Sequence, residues 1–204
     1  MVTTLVRTAP LLLRPATTDD VVALAALKRR VERRCYAHLG TAEALSVRLH
    51  RRCTAWYLLG RLSAGDLVLV AEQEGTLVGL GCARVEHGAQ GPSLHLHSAY
   101  VERPGQGIGT ALTLARLQAA RALGVRTVTA HCLVGVVTAE RRLRALGLVE
   151  TQARTDSLTF PGVGMSHWAG RLHTAWQHCT ALRPPLEDPW LGTHATRSTD
   201  SSTT

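Results

Sequence analysis

The chain has 204 residues, 45% of them apolar, and a formal net charge of +8, so its length and composition favour a single domain with one core. No apolar run is long enough for a membrane helix or a secretory signal, which predicts a cytoplasmic protein with no membrane partner. All but one of the 23 basic residues are arginine, these are scattered, and aromatic residues make up only 4%, which argues against a nucleic-acid partner.

The first part of the chain predicts a short strand, two helices and a hairpin. A short strand is predicted over residues 11–14, followed by a helix that places Leu24, Leu27, Val31 and Cys35 on one face. Thr41 is typical of a helix cap, and the apolar residues after it predict one helix that continues to Trp56. Two strands over residues 67–71 and 76–85 then form a predicted hairpin.

The second half of the chain predicts a strand, a helix and a parallel strand. A strand over residues 94–101 leads into a glycine-rich turn, a helix that ends at Gly124, and a strand over 126–134. A shorter helix over 138–146 and strands over 148–154 and 163–172 follow. The domain is expected over residues 8–172, with a C-terminal extension over 173–204 that is disordered from about residue 193.

The turn after the third strand carries the clearest chemical signal. Gly105, Gly107 and Gly109 stand between a strand and a helix start, where backbone N–H groups and the helix dipole can hold an anionic oxygen. The spacing G-x-G-x-G differs from the dinucleotide pattern G-x-G-x-x-G, and no GK[ST] motif follows. The turn therefore predicts a phosphate cradle that belongs neither to the dinucleotide-binding proteins nor to the P-loop proteins.

Residues 94–101 and the run from Gly105 to Leu112 together closely resemble the acyl-CoA motif Q/R-x-x-G-x-G/A of the GNAT superfamily of N-acetyltransferases. The resemblance covers roughly residues 10–172, including the opening strand at Leu13 and the helix before Gly147. It implies a mixed α/β (α+β) domain with a central sheet, helices on both faces, and a strand–turn–helix site for CoA. It also implies that acetyl-CoA, or another acyl-CoA, is the co-substrate of an N-acyltransferase.

The resemblance assigns CoA binding to the end of the third strand and to the turn. The implied binding residues are Tyr100, Val101, Arg103, Gly105, Gln106, Gly107, Ile108, Gly109, Thr110 and Ala111. Three positions depart from the family pattern. Pro104 stands where Gln or Arg is usual, Leu143 where a tyrosine acid is frequent, and Val136 where an asparagine is frequent.

Transfer to a primary amine needs a group that accepts the amine proton. His95 and His97 lie on one face of the third strand and titrate in the right range, so either is a candidate base. A strand histidine that bonds a neighbouring carbonyl is the alternative for each. Tyr100 is a candidate proton donor, with core packing as its alternative. Glu72, Glu102 and His131 are further candidates for the base.

The cysteines and the remaining histidines predict no metal. Cys35, Cys53, Cys82, Cys132 and Cys179 are odd in number and in no paired spacing, which argues against disulfides and zinc. The resemblance implies direct acyl transfer in a ternary complex, to a small-molecule or peptide amine, by a chain that can form a homodimer. Two alternatives stay open: a non-catalytic acyl-CoA-binding or regulatory relative, and an RNA-directed acetylating toxin.

Overall fold

The computed structural model describes residues 10–88 and 91–182. The predicted disorder from residue 193 therefore lies outside the described residues. The strands are β1 (Leu12–Pro15), β2 (Leu67–Gln73), β3 (Thr76–Gly88), β4 (Gly91–Val101), β5 (Thr127–Leu133), β6 (Val149–Asp156) and β7 (Gly164–Arg171). They form a seven-stranded sheet in the order β1-β2-β3-β4-β5-β7-β6. The β4–β5 pair is parallel and the other pairs are antiparallel.

In the described part of the chain, six α-helices accompany the sheet: α1 (Val21–Tyr36), α2 (Ala42–Arg52), α3 (Ala55–Ser63), α4 (Ile108–Ala122), α5 (Val137–Ala145) and α6 (Leu172–Ala181). The alternation of side chains along β2 shows how the helices cover both faces. Val68 and Val70 pack in the cluster that contains α1 and α3. Leu69 and Ala71 point the other way and pack on Ile108 and Leu112 of α4. The mixed α/β domain with helices on both faces is confirmed.

Two helical elements differ from the sequence prediction. The helix that begins at Thr41 ends at Arg52, and Thr54 caps a separate helix by accepting the backbone N–H of Tyr57 at 3.1 Å. Trp56, predicted on the buried face, is 82% exposed. At the other end of the domain, Ala175 and Cys179 of α6 belong to the largest core cluster. The folded core thus continues beyond the boundary predicted at residue 172.

The sheet opens between its two central strands. β4 and β5 pair only over Ser93–Leu96 and Thr127–Ala130, although β4 continues along β3 to Val101 and β5 continues along β7 to Leu133. At the point of separation, Cys82 pairs with Ser98 and Ala83 with Leu96, so His97 is an extra residue in a β-bulge. The carboxyl ends of β4 and β5 therefore diverge and leave a gap in the sheet.

Within residues 10–88 and 91–182, no helix combines the length and apolar character needed to cross a membrane.

Candidate functional site

The glycine turn between β4 and α4, predicted to be a phosphate cradle, lies at one end of the gap. Gly105 and Gly107 have φ angles of 87° and 75°, a conformation that favours glycine over every residue with a Cβ. Gly107 is the N-cap of α4, and its carbonyl accepts the N–H of Ala111 at 2.9 Å. The remaining first-turn N–H groups of α4 are therefore free of intrahelical partners and face the turn.

A cavity of about 380 Å³ lies over this turn. It is lined by Val101, Arg103, residues 104–110, Arg142 and Leu182. The structure thus brings together most of the residues that the resemblance assigned to CoA. Tyr100 lies outside this cavity, and Ala111 belongs to the first turn behind it. No local sequence pattern points to Arg142 and Leu182, because they join the cavity from α5 and from the end of α6.

Arg142 extends from α5 across the gap to α4. Its Nη2 donates to Oγ1 of Thr113 at 2.5 Å, and its guanidinium lies directly against Gly109, where a Cβ would collide with it. Arg116 donates to the same hydroxyl oxygen at 3.0 Å. Burial lowers the pKa of Arg116 to about 10 and also lowers the pKa of Arg142, because neither charge has a carboxylate beside it in the described part of the chain. Two uncompensated positive charges therefore lie next to the cradle.

A row of four histidines crosses the opposite face of the sheet. The ring centroids of His97 and His95 are 6.1 Å apart, those of His95 and His131 are 4.5 Å apart, and those of His131 and His167 are 4.0 Å apart. His97 and His95 share one face, as predicted from the strand pattern. Among the described residues, no group of three or more His, Cys, Asp or Glu side chains is arranged to hold a metal ion.

The environments of His95 and His97 differ. His97 Nε2 lies 2.6 Å from Nη2 of Arg61 and 3.1 Å from Oδ2 of Asp66. Burial and the adjacent Arg61 charge lower the pKa of His97 to about 2. Among the described residues, the hydrogen-bond partner of His95 is uncharged, since its Nδ1 lies 3.0 Å from Oγ1 of Thr129. Burial lowers its pKa from the usual value, although the Glu86 charge opposes the shift. Both imidazoles are neutral at pH 7, but His95 is the one without an ionic partner.

The other predicted acid–base groups already have partners. Tyr100 donates its hydroxyl hydrogen to Oε1 of buried Glu32 at 2.5 Å. Glu72 accepts from Arg14, and Glu102 forms an ion pair of 2.9 Å with Arg30. His131 is exposed overall, and partial burial, together with the neighbouring His95 and His167, lowers its pKa to about 4. The geometry therefore favours a packing role for Tyr100 and structural roles for both glutamates.

A second cavity, of about 480 Å³, occupies the gap between β4 and β5. Its wall contains His95 and His97 and, at the end nearest the cradle, Thr113, Arg116 and Arg142. Since Arg142 lines both cavities, the cavity over the glycine turn and the histidine-lined cavity are neighbours at this residue. Leu143 lines the second cavity with an apolar side chain, and Val136 is buried in a small core cluster beside Phe160. Neither Leu143 nor Val136, which replace a frequent tyrosine and a frequent asparagine of the family, has a side chain that can donate a proton.

The family model described as the acetyltransferase (GNAT) family matches residues 32–148. No curated protein sequence is significantly similar to this chain. Solved structures do match it. The PaiA N-acetyltransferase of Thermoplasma acidophilum, in complex with coenzyme A, has a TM-score of 0.65 at 16% identity, over 78% of this chain and 98% of that one.

Two further structures extend this likeness. The ribosomal-protein-alanine N-acetyltransferase of Brucella melitensis has a TM-score of 0.59 at 26% identity, over 78% of this chain and 99% of that one. YncA of Salmonella typhimurium, solved with acetyl-CoA, has a TM-score of 0.57 at 21% identity, over 79% of this chain and 94% of that one. The fold of this chain is therefore that of CoA-binding acetyltransferases.

Proposed function

The chain belongs to the GNAT acetyltransferase family, and from that premise we propose that it transfers the acetyl group of acetyl-CoA to the nitrogen of a primary amine. The observation that carries the proposal is the junction at Arg142, the residue that lines both the cavity over the glycine turn and the histidine-lined cavity. A CoA molecule held at the cradle by its pyrophosphate has a path into the gap between β4 and β5. Its thioester then lies where an amine can approach from the other side.

The cradle residues supply the binding of the pyrophosphate. Backbone N–H groups of the turn and of the first turn of α4 donate to its oxygens, in the direction that the helix dipole favours. Arg103 lines the cavity. Its positive charge replaces the charge that an arginine would supply at the position of Pro104. Beyond Leu96, no strand in the described part of the chain pairs with β4 on the β5 side. The carbonyls of Ser98 and Val101 accept from Arg116 and Arg34, and the other backbone groups of this stretch pair with the amide groups of the pantetheine arm in this proposal.

The reaction proposed is direct transfer in one ternary complex. The amine nitrogen attacks the thioester carbonyl carbon, the new C–N bond forms, the C–S bond breaks, and CoA leaves as a thiolate that takes up a proton. His95 accepts the proton lost by the amine, since its imidazole is neutral and has no ionic partner. His131 and His167 continue the row from His95 outwards along the sheet.

Arg142 takes the place of the missing acid. Leu143 cannot protonate or stabilise a thiolate, whereas the guanidinium of the preceding residue lies in the junction through which the pantetheine arm passes. A fixed positive charge in a poorly solvated gap stabilises the negative charge that develops on sulfur. Arg142 therefore holds the leaving thiolate until solvent protonates it.

A non-catalytic CoA-binding relative is the second candidate, and the apolar side chains of Leu143 and Val136 favour it. The RNA-directed alternative loses support, because two residues of the arginine-rich segment 29–34 of α1, Arg30 and Arg34, bind the side chain and backbone of Glu102. We propose the cytoplasm as the site of action, since a CoA thioester is the co-substrate.

One experiment tests the proposal. Calorimetry measures CoA binding, and a thiol assay measures CoA release from acetyl-CoA with a panel of primary amines, with mass spectrometry of the acetylated product. Amine-dependent thiol release supports the enzyme. CoA binding without release from any amine identifies the non-catalytic relative. No binding of CoA at all overturns the proposed function.

A further inference from the structure

The cavity between β4 and β5 has an unusual electrostatic lining for a site that receives a protonated amine. Among the residues that the structure describes, its wall contains six arginines and a single carboxylate, that of Glu86. The arginines are Arg48, Arg52, Arg61, Arg84, Arg116 and Arg142. A positively charged wall repels an ammonium group and concentrates anions.

Neighbouring carboxylates neutralise only part of this charge. Buried Asp66 binds two guanidiniums, Arg61 at 2.5 Å and Arg84 at 2.6 Å. Buried Glu32 binds both Arg48, at 2.8 Å, and Lys28. Each carboxylate thus faces two cations, and each group keeps a net positive charge.

The remaining arginines contact only uncharged groups. Arg52 donates to the hydroxyl of Tyr57, Arg142 to the hydroxyl of Thr113, and Arg116 to backbone carbonyls and to Thr113. No carboxylate in the described parts of the chain lies within ion-pair distance of these three side chains. The cavity as a whole is therefore cationic.

The unbalanced charge is also in the right place to bind part of an acceptor. Arg61 contacts His97, and Arg84 is the cross-strand neighbour of His95 on β3. An amine at His95 therefore has the Arg61–Asp66–Arg84 group beside it. Arg84 binds Asp66 through Nε, its side chain is 38% exposed, and it lines the cavity.

We propose that the acceptor is a small amine that also carries an anionic oxygen group, a carboxylate or a phosphate, and that Arg84, together with Arg61, binds this group. The proposal rests on the function proposed above. A guanidinium matches carboxylate and phosphate oxygens with two parallel N–H bonds. The anion offsets the repulsion between the ammonium group and the cavity wall. A cavity of about 480 Å³ has the size of a small-molecule site.

The test compares amines that differ only in the anion. Free amino acids are assayed against the same amino acids as carboxamides, and phosphoethanolamine against ethanolamine, by thiol release from acetyl-CoA. Carboxamides have the less basic and thus more readily deprotonated amine, so intrinsic reactivity works against the expected order. We expect at least one anionic amine to exceed its neutral partner in kcat/KM by tenfold or more. The two arms show which anion is preferred.

Arg84→Gln should raise the KM of the anionic acceptor about tenfold or more and leave the KM of acetyl-CoA unchanged. Arg84→Lys should restore part of the loss, since it keeps the charge. Arg51→Gln, on the exposed side of α2, is the matched control and should change neither value.

The outcomes separate the two proposals. If neutral amines are acetylated as well as their anionic partners, or if Arg84→Gln leaves the anion preference intact, the inference is overturned and the acetyltransferase stands. If no amine supports thiol release, the proposed function is overturned and this inference with it.

Discussion

Tyr100 donates its hydroxyl hydrogen to Oε1 of Glu32 at 2.5 Å, inside the core formed by α1, α3 and the sheet. Burial and the adjacent charged groups raise the pKa of this phenol well above its usual value, so it is a weak acid at any pH near neutrality. Its bond partner is a carboxylate that also binds Lys28 and Arg48. The relationship places Tyr100 in a structural network rather than in the proton transfer.

Tyr100→Phe should therefore lower stability and leave catalysis nearly unchanged. The variant removes one donor from a buried carboxylate, which costs about 1–3 kcal/mol. Denaturant unfolding measures the loss, and thiol release measures kcat at saturating substrates. A fall in kcat of a hundredfold with an unchanged unfolding midpoint would instead identify Tyr100 as the proton donor.

Glu32→Gln should destabilise the protein more, because it leaves the Lys28 and Arg48 charges buried without an opposite charge. Removing one partner of a buried ion pair typically costs about 3–5 kcal/mol. Glu140→Gln is the control, since the ion pair of Glu140 with Arg144 is at the surface and contributes about 0.5 kcal/mol or less. Unfolding midpoints at pH 7 compare the two variants.

The loss of stability in Glu32→Gln should become smaller as the pH falls. Burial raises the pKa of Glu32, but Lys28 and Arg48 outweigh burial and hold it below its ordinary value of 4.5. A depressed carboxyl pKa contributes stability that is present above the unfolded value and is lost as the pH falls through the folded value. The difference in stability between wild type and variant should thus be complete at pH 7 and shrink below pH 4.5. A difference that stays constant down to acid denaturation would contradict the ion pairing of Glu32 with Lys28 and Arg48.

Local signals in the sequence were sufficient for the cradle. Gly105 and Gly107 stand at positions that need positive φ, and a strand and a helix with clear periodicity flank them, so a short segment determines this part of the site. The boundary at Trp56 failed because apolar spacing alone suggested one long helix, whereas Thr54 starts a new one. The cap at Thr54, and not the spacing of the apolar residues, determines where one helix ends and the next begins.

The charged part of the site could not be predicted. Arg142 reaches Thr113 across 29 residues of sequence, and Asp66 binds Arg84 across 18. Nothing in the local pattern of α5 or β3 distinguishes these arginines from the many exposed ones. Only the separation of β4 from β5, which begins at the His97 bulge, brings them to one cavity.

The two candidate bases can be separated by matched substitutions. His95→Asn should lower kcat at pH 7 at least roughly tenfold, because it removes the proton acceptor, and the loss should shrink above about pH 9, where amines deprotonate unaided. His97→Asn should change kcat less, since its ring is held between Arg61 and Asp66 and its pKa of about 2 makes it a poor base. His87→Asn, exposed on β3, is the control.

The pH profile of the wild type gives a second measure. The pKa of His95 lies below its ordinary value of 6.5, so the basic form is present at pH 7 and kcat/KM should fall only as the pH drops below that value. His95→Asn should remove this limb of the profile. If His97→Asn removes it instead, the base is His97. If neither does, water is the proton acceptor.

The cradle is best tested by adding one negative charge without changing shape. Substitution of Gly105 or Gly107 would strain the backbone because both have positive φ, so a loss of binding there would not be specific. Gln106 is exposed and lines the same cavity. Gln106→Glu preserves the size of the side chain and places a carboxylate against the pyrophosphate. Repulsion at this partly solvated site should weaken CoA binding roughly tenfold, or about 1.4 kcal/mol, and the loss should shrink as ionic strength rises.

Gln118→Glu is the matched control for that substitution. Gln118 is exposed on the same helix, two turns beyond the cradle, so the same chemical change there adds the same net charge without adding repulsion at the pyrophosphate. Calorimetry with CoA at low and high salt compares both variants with wild type, and thermal unfolding checks that each is folded. If Gln106→Glu binds CoA as tightly as Gln118→Glu does, the pyrophosphate lies elsewhere, and the glycine turn only connects β4 to α4.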